Sequence, residues 1–328
     1  MSGATISLAE LDSVRVYGLP MRTRFRGITR RQGVLLGGPG GWGEFCPFED
    51  YDDAQSVPWL LAALEACAGD WPAAVRDTVP VNCTVPAVDG EQAHEIVSAS
   101  GCSTAKVKVA ESSQFAADDV ERVAAVRDAL GPAGAIRVDA NAAWDVDTAV
   151  ARIAELDRAA GGLEYVEQPC PSVEELAAVR RKVAVRIAAD ESIRRAEDPL
   201  RVAVAEAADV AVLKAAPLGG VRRALQVAEA CGLPCVVSSA VESSVGLAAQ
   251  LALAGALPEL PFACGLGTTS LLDGDLVAES FVPRGGHLPV PRSAPLPDPA
   301  RVAAATPSAE DQRRWLDRLT RVHQLLPA

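Results

Sequence analysis

Ile136-Arg137-Val138-Asp139-Ala140-Asn141-Ala142-Ala143-Trp144-Asp145 decides how this chain folds. A short apolar run leads into polar residues and then into the helix-starting pattern Asp145-Val146-Asp147-Thr148. The segment therefore reads as a buried strand whose last residues project polar groups past its C-terminal end. That end of a strand is where α/β barrels carry their chemistry. Side chains alternate along a strand, so Arg137, Asp139 and Asn141 share one face, and a cation, a carboxylate and an amide are expected to converge there.

Outward from this strand the same unit repeats. Candidate strands are Val79–Val85, Ala105–Val109, Ile136–Asp139, Leu163–Glu167, Val185–Asp190, Val210–Ala215, Cys235–Ser239 and Phe262–Gly265, with helical segments between them. Eight alternating β and α units suit a closed barrel. The helices carry recognisable ends: Ser172 and Glu175 form a capping box, Gly161-Gly162 and Gly232 sit at C-termini, and Asp147 starts another helix. The segment Asp89–Ser100 is polar and short, and its helix is not clear from the pattern.

The flanks differ. Residues 1–78 hold Ser13–Pro20 and Gln32–Leu36 as strands, a Gly-rich turn, Trp42–Phe45 as a third strand, and a helix from about Ser56 to Ala68. Glycines 37, 38, 40, 41 and 43 lack the Lys-Ser/Thr and the following helix of a phosphate loop, which leaves a hairpin turn. Between the first two strands lies a loop, Met21–Arg31, with five arginines. It reads either as solvated loop charge or as a lid that meets an anionic substrate. Residues 271–328 are Pro-rich and then helical near Glu310–Leu325, and are expected to return to the N-terminal segment. A barrel at 79–270 plus a second domain accounts for 328 residues.

Composition excludes several classes of partner. A net charge of −12 argues against nucleic acid and anionic membranes. The eight cysteines are scattered without a Cys-x-x-Cys pair and read as reduced and buried, and no signal or bilayer-spanning stretch is evident. A cytoplasmic enzyme is the expectation.

The C-terminal ends of the candidate strands form a coherent set. Lys106 and Lys108 lie on the second, Asp139 on the third, Glu167 on the fourth, Asp190 with Glu191 on the fifth, Lys214 on the sixth, Ser238 and Ser239 on the seventh, and Gly265 on the eighth. Three carboxylates on adjacent strands repel one another unless a cation sits among them. All-oxygen ligation without His or Cys selects a hard divalent ion, Mg²⁺. Lys106 and Lys108 share a face, so each is expected to depress the other's pKa and to fit one of them for general-base work near neutral pH. Removal of a proton next to a carboxylate is the chemistry this suggests, an arrangement the enolase-superfamily pattern already describes.

Lys-Val-Lys (106–108), Asp-Ala-Asn (139–141), Glu-Gln-Pro (167–169), Asp-Glu-Ser (190–192) and Val-Leu-Lys (212–214) resemble the muconate-lactonising subgroup of the enolase superfamily. The runs Val237–Leu247 and Gly265-Leu266-Gly267-Thr268 resemble its o-succinylbenzoate synthase branch. The resemblance implies a modified TIM barrel, (β/α)7β, with an α+β capping domain built from the N-terminal segment, including Gly41-Trp42-Gly43-Glu44, and the C-terminal tail. It implies Mg²⁺ on Asp139, Glu167 and Asp190, Lys108 as the base, Lys106 beside the substrate carboxylate, and Lys214 stabilising an enediolate. Arg137, Ser238, Gly265 and Arg24 would meet the substrate, and Asn141 and Glu191 would support the metal ligands. Residues 20–31 match a mobile capping loop. The implied reaction is syn dehydration of a cyclohexadiene dicarboxylate, 2-succinyl-6-hydroxy-2,4-cyclohexadiene-1-carboxylate, to 2-succinylbenzoate in menaquinone biosynthesis. The same geometry suits an N-acylamino acid racemase or a cycloisomerase. The eighth strand lacks the Asp-x-Asp of dipeptide epimerases, and Ala240 stands where some synthases carry a serine.

Overall fold

A computed structural model describes residues 8–25, 27–194 and 206–326. Its centre is a seven-stranded parallel sheet ordered β11-β10-β9-β8-β7-β6-β5. These strands are β5 (Cys83–Val85), β6 (Thr104–Lys108), β7 (Ala135–Asp139), β8 (Tyr165–Glu167), β9 (Ile187–Ala189), β10 (Val210–Leu213) and β11 (Cys235–Val237). The two edges curl together through one short segment. Gly265 bridges to Ser238 beyond β11, and Cys264 bridges to Val81 ahead of β5. This is an α/β, TIM-barrel-like fold.

Alternation divides the apolar residues as a barrel requires. Tyr165, Ala188, Val210, Val212, Val236 and Phe262 form one interior cluster. The opposite faces of the strands, among them Val107, Val138, Val166, Ala189 and Leu213, join the helices in a larger cluster. The doubtful segment 89–100 is a regular helix, α2 (Gly90–Ser100), because the Asp89 side chain accepts the Gln92 N–H and Gly101 closes it in the left-handed region.

The N-terminal strands β1 (Ser13–Phe25), β2 (Ile28–Gly38) and β3 (Gly41–Phe45) make an antiparallel sheet in that order. Met21–Arg31 is therefore not an open loop. It forms the far end of a long hairpin closed by the Phe25–Ile28 pair, with Arg26 outside the described residues. The Gly-rich stretch lets this sheet lie against α1 (Asp53–Ala68), since a side chain on Gly43 would collide with the Ala63 carbonyl. The tail packs back in several places, its 271–305 segment against Tyr17, Leu19 and Met21 of β1. β12 (His287–Pro289) pairs with β4 (Thr78–Pro80), and in the terminal helix Ala309–Gln324 Trp315 meets Phe45 edge-on while Arg318 donates to the Phe48 and Tyr51 carbonyls. Glu44 ties the small sheet to the barrel: it accepts from Tyr17 Oη, from the Ser243 N–H and hydroxyl, and from the Gly246 N–H at the start of helix Ser244–Ala256.

Candidate active site

The strand register sets the heights of the functional groups. Lys108, Asp139 and Glu167 are level neighbours on β6, β7 and β8, while Asp190 and Lys214 follow the last residues of β9 and β10. Lys106, Lys108, Asp139, Asn141, Asp190, Lys214, Ser238 and Gly265 line one pocket. Glu167, level with Asp139 but not itself lining the pocket, is bonded to Lys106.

Each carboxylate is met by an ammonium group. Lys106 Nζ lies 2.5 Å from Glu167 Oε1 and 2.9 Å from Asp139 Oδ2. Lys108 Nζ bonds to Asp139 Oδ2 and, at 2.7 Å, to Asn141 Oδ1. Lys214 Nζ lies 2.6 Å from Asp190 Oδ2. Asn141 also reaches Glu191 Oε1 at 3.4 Å. Behind Asp190, the fully buried Gln168 accepts the Asp190 and Ser192 N–H groups through Oε1 and so fixes the end of β9.

This pairing reverses the expectation for Lys106. Burial works against its ammonium, but Asp139 and Glu167 outweigh burial and hold its pKa above the ordinary lysine value. Repulsion from a second lysine is the smaller effect when two carboxylates are in contact. Burial likewise opposes the Asp139 carboxylate, which Lys106 and Lys108 nonetheless hold well below the usual range. Glu167 moves the other way. Burial and the neighbouring Asp139 push it up to about 7.

Arg137 is a second correction. It shares the inward face with Asp139 but sits two residues lower, about 6.6 Å at about 3.3 Å per residue. There it is fully buried, bonded to Glu164, Asn82 and the Ala263 carbonyl, with its guanidinium 4.7 Å from the Tyr165 ring centroid. It closes the floor of the barrel and does not line the pocket. Arg24 is also outside the pocket and borders an adjoining hollow of about 280 Å³ with Phe25, Gly27 and Lys108.

Among the described residues no three His, Cys, Asp or Glu side chains are gathered as a metal cluster. The ammonium groups lie where a cation between the carboxylates would be. The donor set nevertheless fits a hard divalent ion. It is all oxygen, it is buried, and Glu167 Oε2 is a buried acceptor without a hydrogen-bond donor among the described residues.

Several lining residues carry no signal in a strand-end reading. Phe25 enters from β1, Phe48 from the segment that follows β3, Thr84 from β5, Ala240 and Val241 from the loop after β11, and Thr268 from the 3-10 helix Gly267–Leu271. Phe25 lies over Lys108, 5.1 Å from Nζ to the ring centroid, and borders both the pocket and the adjoining hollow. Ser239 Oγ and Thr268 Oγ1 share a 2.5 Å hydrogen bond across the seventh and eighth strand ends. The space left in the pocket is about 30 Å³, room for about one water molecule.

Comparison with known proteins agrees with this architecture. The family described as enolase C-terminal domain-like matches residues 89–295, and that described as enolase N-terminal domain-like matches residues 16–67. The o-succinylbenzoate synthase of Thermobifida fusca (strain YX) is 64% identical over 278 residues, 85% of this chain and 87% of that protein. The o-succinylbenzoate synthase of Mycolicibacterium smegmatis is 54% identical, covering 96% of this chain and 97% of its own. In fold, the chain is similar to muconate lactonizing enzyme from Pseudomonas fluorescens, with TM-score 0.76 at 23% identity over 90% of this chain and 99% of that one.

Proposed function

We infer the function from family: this chain belongs to the enolase superfamily and, within it, to the o-succinylbenzoate synthases, and it is an enzyme of the hydro-lyase type. The reaction proposed is loss of water from 2-succinyl-6-hydroxy-2,4-cyclohexadiene-1-carboxylate to give 2-succinylbenzoate, a menaquinone precursor. The observation that carries it is the lysine pair. Lys108 on β6 and Lys214 after β10 line one pocket, with Asp139 and Asp190 between their strands.

Lys108, in its neutral form, takes the proton from the carbon next to the substrate carboxylate. Its bond to Asn141 and the Phe25 ring restrict where Nζ points. The Lys214 ammonium stays charged and stabilises the enediolate that develops as the proton leaves. Lys108 then passes that proton to the hydroxide departing from the same face, so water leaves and the ring becomes aromatic. Lys106 holds the carboxylate side of the substrate. Mg²⁺, which members of the superfamily generally use, would be held by Asp139, Glu167 and Asp190, with Asn141 and Glu191 behind them, and supplies Lewis-acid stabilisation of negative charge.

Charge supports an anionic substrate. With Lys108 neutral, Lys106 and Lys214 charged and the three carboxylates ionised, a divalent ion leaves this set with one positive charge in excess. A space of about 30 Å³ does not admit such a substrate, so entry requires Phe25 to move and join the pocket to the outer hollow that Arg24 borders. Ser238 and Gly265 would form the opposite wall. No described helix is long and apolar enough to cross a membrane, and with a net charge of −12 we assign the enzyme to the cytoplasm without nucleic-acid or membrane partners.

The test is the absorbance change on mixing the protein with the diene in Mg²⁺ and in chelator, beside an N-succinyl amino acid racemisation assay. Fast Mg²⁺-dependent loss of diene with little racemisation supports the reading. Racemisation alone overturns the substrate and makes Lys108 and Lys214 two opposed acid/bases.

A further inference from the structure

Arg31 belongs by sequence to the arginine-rich segment, yet it is only 2% exposed. Its Nη2 donates to the Cys46 carbonyl, its guanidinium lies 4.5 Å from the Phe48 ring centroid, and its Nε donates to the Val241 carbonyl at 3.1 Å. Buried Glu242 and Glu44 are opposite charges acting on it. This cation faces the barrel, not solvent, and its contact there is a strained residue.

Val241 has φ +62. A β-branched side chain in the left-handed region is a true outlier, because its branches crowd the backbone, and such a conformation persists only where the surroundings hold it. Val241 is held at both ends. Its N–H donates to Ser239 Oγ at 3.0 Å, which is in turn bonded to Thr268, and its carbonyl accepts from Arg31. Ser238, Ser239, Ala240, Val241 and Phe48 all border the pocket.

We propose that Arg31 is a positioning residue for substrate. Acting through the Val241 carbonyl, it keeps the strained turn 239–241 in the one conformation that presents Ser238, Ser239 and Val241 as a fixed wall. The small N-terminal sheet thereby sets the fit of the barrel pocket from behind. This rests on the pocket being the substrate site.

The experiment makes Arg31→Met in two backgrounds, the native chain and Val241→Gly, because glycine adopts this φ without being held. In the native chain, the substitution should raise KM by about tenfold or more and change kcat less, the range expected when one strained residue is released. In the Val241→Gly background the same substitution should change KM by less than about threefold, since nothing strained remains to hold. Equal losses in the two backgrounds overturn the proposal. Should Arg31→Met not fold, Arg31→Lys keeps the charge and loses the planar fork. Hydrogen exchange of the 238–245 peptide needs no substrate and separates this proposal from the assigned reaction. Faster exchange in Arg31→Lys supports the proposal whatever the substrate is, and unchanged exchange refutes it.

Discussion

Replacing Lys106 by Met keeps the length of the side chain and removes its charge, which isolates the link between the lysines and the metal. In the structure one ammonium serves two buried carboxylates, Asp139 at 2.9 Å and Glu167 at 2.5 Å. Removing one partner from a buried ion pair costs about 3–5 kcal/mol. Asp139 keeps Lys108, so the loss falls mainly on Glu167, which burial and Asp139 already hold at about 7. That group can take up a proton near neutral pH, so the low end, about 3 kcal/mol, is the expected loss in chelator. A divalent ion on the same carboxylates no longer has an ammonium to displace. If about 2 kcal/mol is recovered in this way, Mg²⁺ binds the variant about 30-fold more tightly than the parent. Urea unfolding in chelator and in saturating Mg²⁺, with calorimetric Mg²⁺ titration, measures both quantities. The stability gap should shrink to about 1 kcal/mol in saturating Mg²⁺ as the ion takes over the charge compensation. A gap of the same size in both conditions, with Mg²⁺ affinity unchanged, refutes the idea that ion and ammonium share Asp139 and Glu167.

Lys108→Ala should lower turnover by about 100- to 10,000-fold, the usual contribution of a general base, while calorimetry still finds Mg²⁺ binding. Asp190→Asn should weaken Mg²⁺ affinity and rate together, seen as a shift of the Mg²⁺ activation curve to higher concentration. Trp315→Ala removes a buried ring that meets Phe45 edge-on and donates to Gln32, and should cost about 3–5 kcal/mol in urea unfolding. Burial pushes the Cys67 and Cys170 thiols up to about 12, so both should resist alkylation at pH 7 in the folded protein; mass mapping of a partial reaction checks this.

The strand ends are legible in the sequence because two periodicities meet there. An apolar run of period two stops, a helix start follows within a few residues, and whatever polar side chain lies between must face the end of the barrel, as Asp139, Glu167 and Asp190 do. Height along the strand is not legible in the same way. Alternation puts Arg137 and Asp139 on one face but does not say that two residues separate floor from pocket, nor that Tyr165 and Phe262 supply rings for Arg137 to stack on. Lys106 shows the reverse case: it is level with Arg137 in the register, yet its long chain reaches up to the carboxylates. The direction of its pKa depends on which charges touch it, and contact between β6, β7 and β8 is a tertiary fact. Met21–Arg31 reads as a loop in sequence because arginines are poor strand markers. Its extension as a hairpin depends on backbone pairing that runs from Ser13–Gly37 to Pro20–Arg30 and, after a register shift, closes at Phe25–Ile28.

What the strand-end pattern leaves out is how these ends are kept in place. Ala110, Asn141, Ala142, Gln168 and Val241 all have positive φ, and each lies a few residues past a barrel strand. A left-handed residue turns the chain away at once, which leaves the last inward side chain standing in the pocket with no backbone across it. The cost of that geometry is met from behind. The Asp119 carboxylate accepts the Ala110 N–H, Arg122 donates to the Lys108 carbonyl at 2.9 Å and to Asp119, and the Gln168 side chain bonds the Asp190 loop. Arg31 does the same for Val241 from β2 of the small sheet. The lysines and carboxylates therefore depend on a shell of buried polar side chains on helices, neighbouring strand ends and the small sheet. A substitution there can move the chemistry without touching a group that meets substrate.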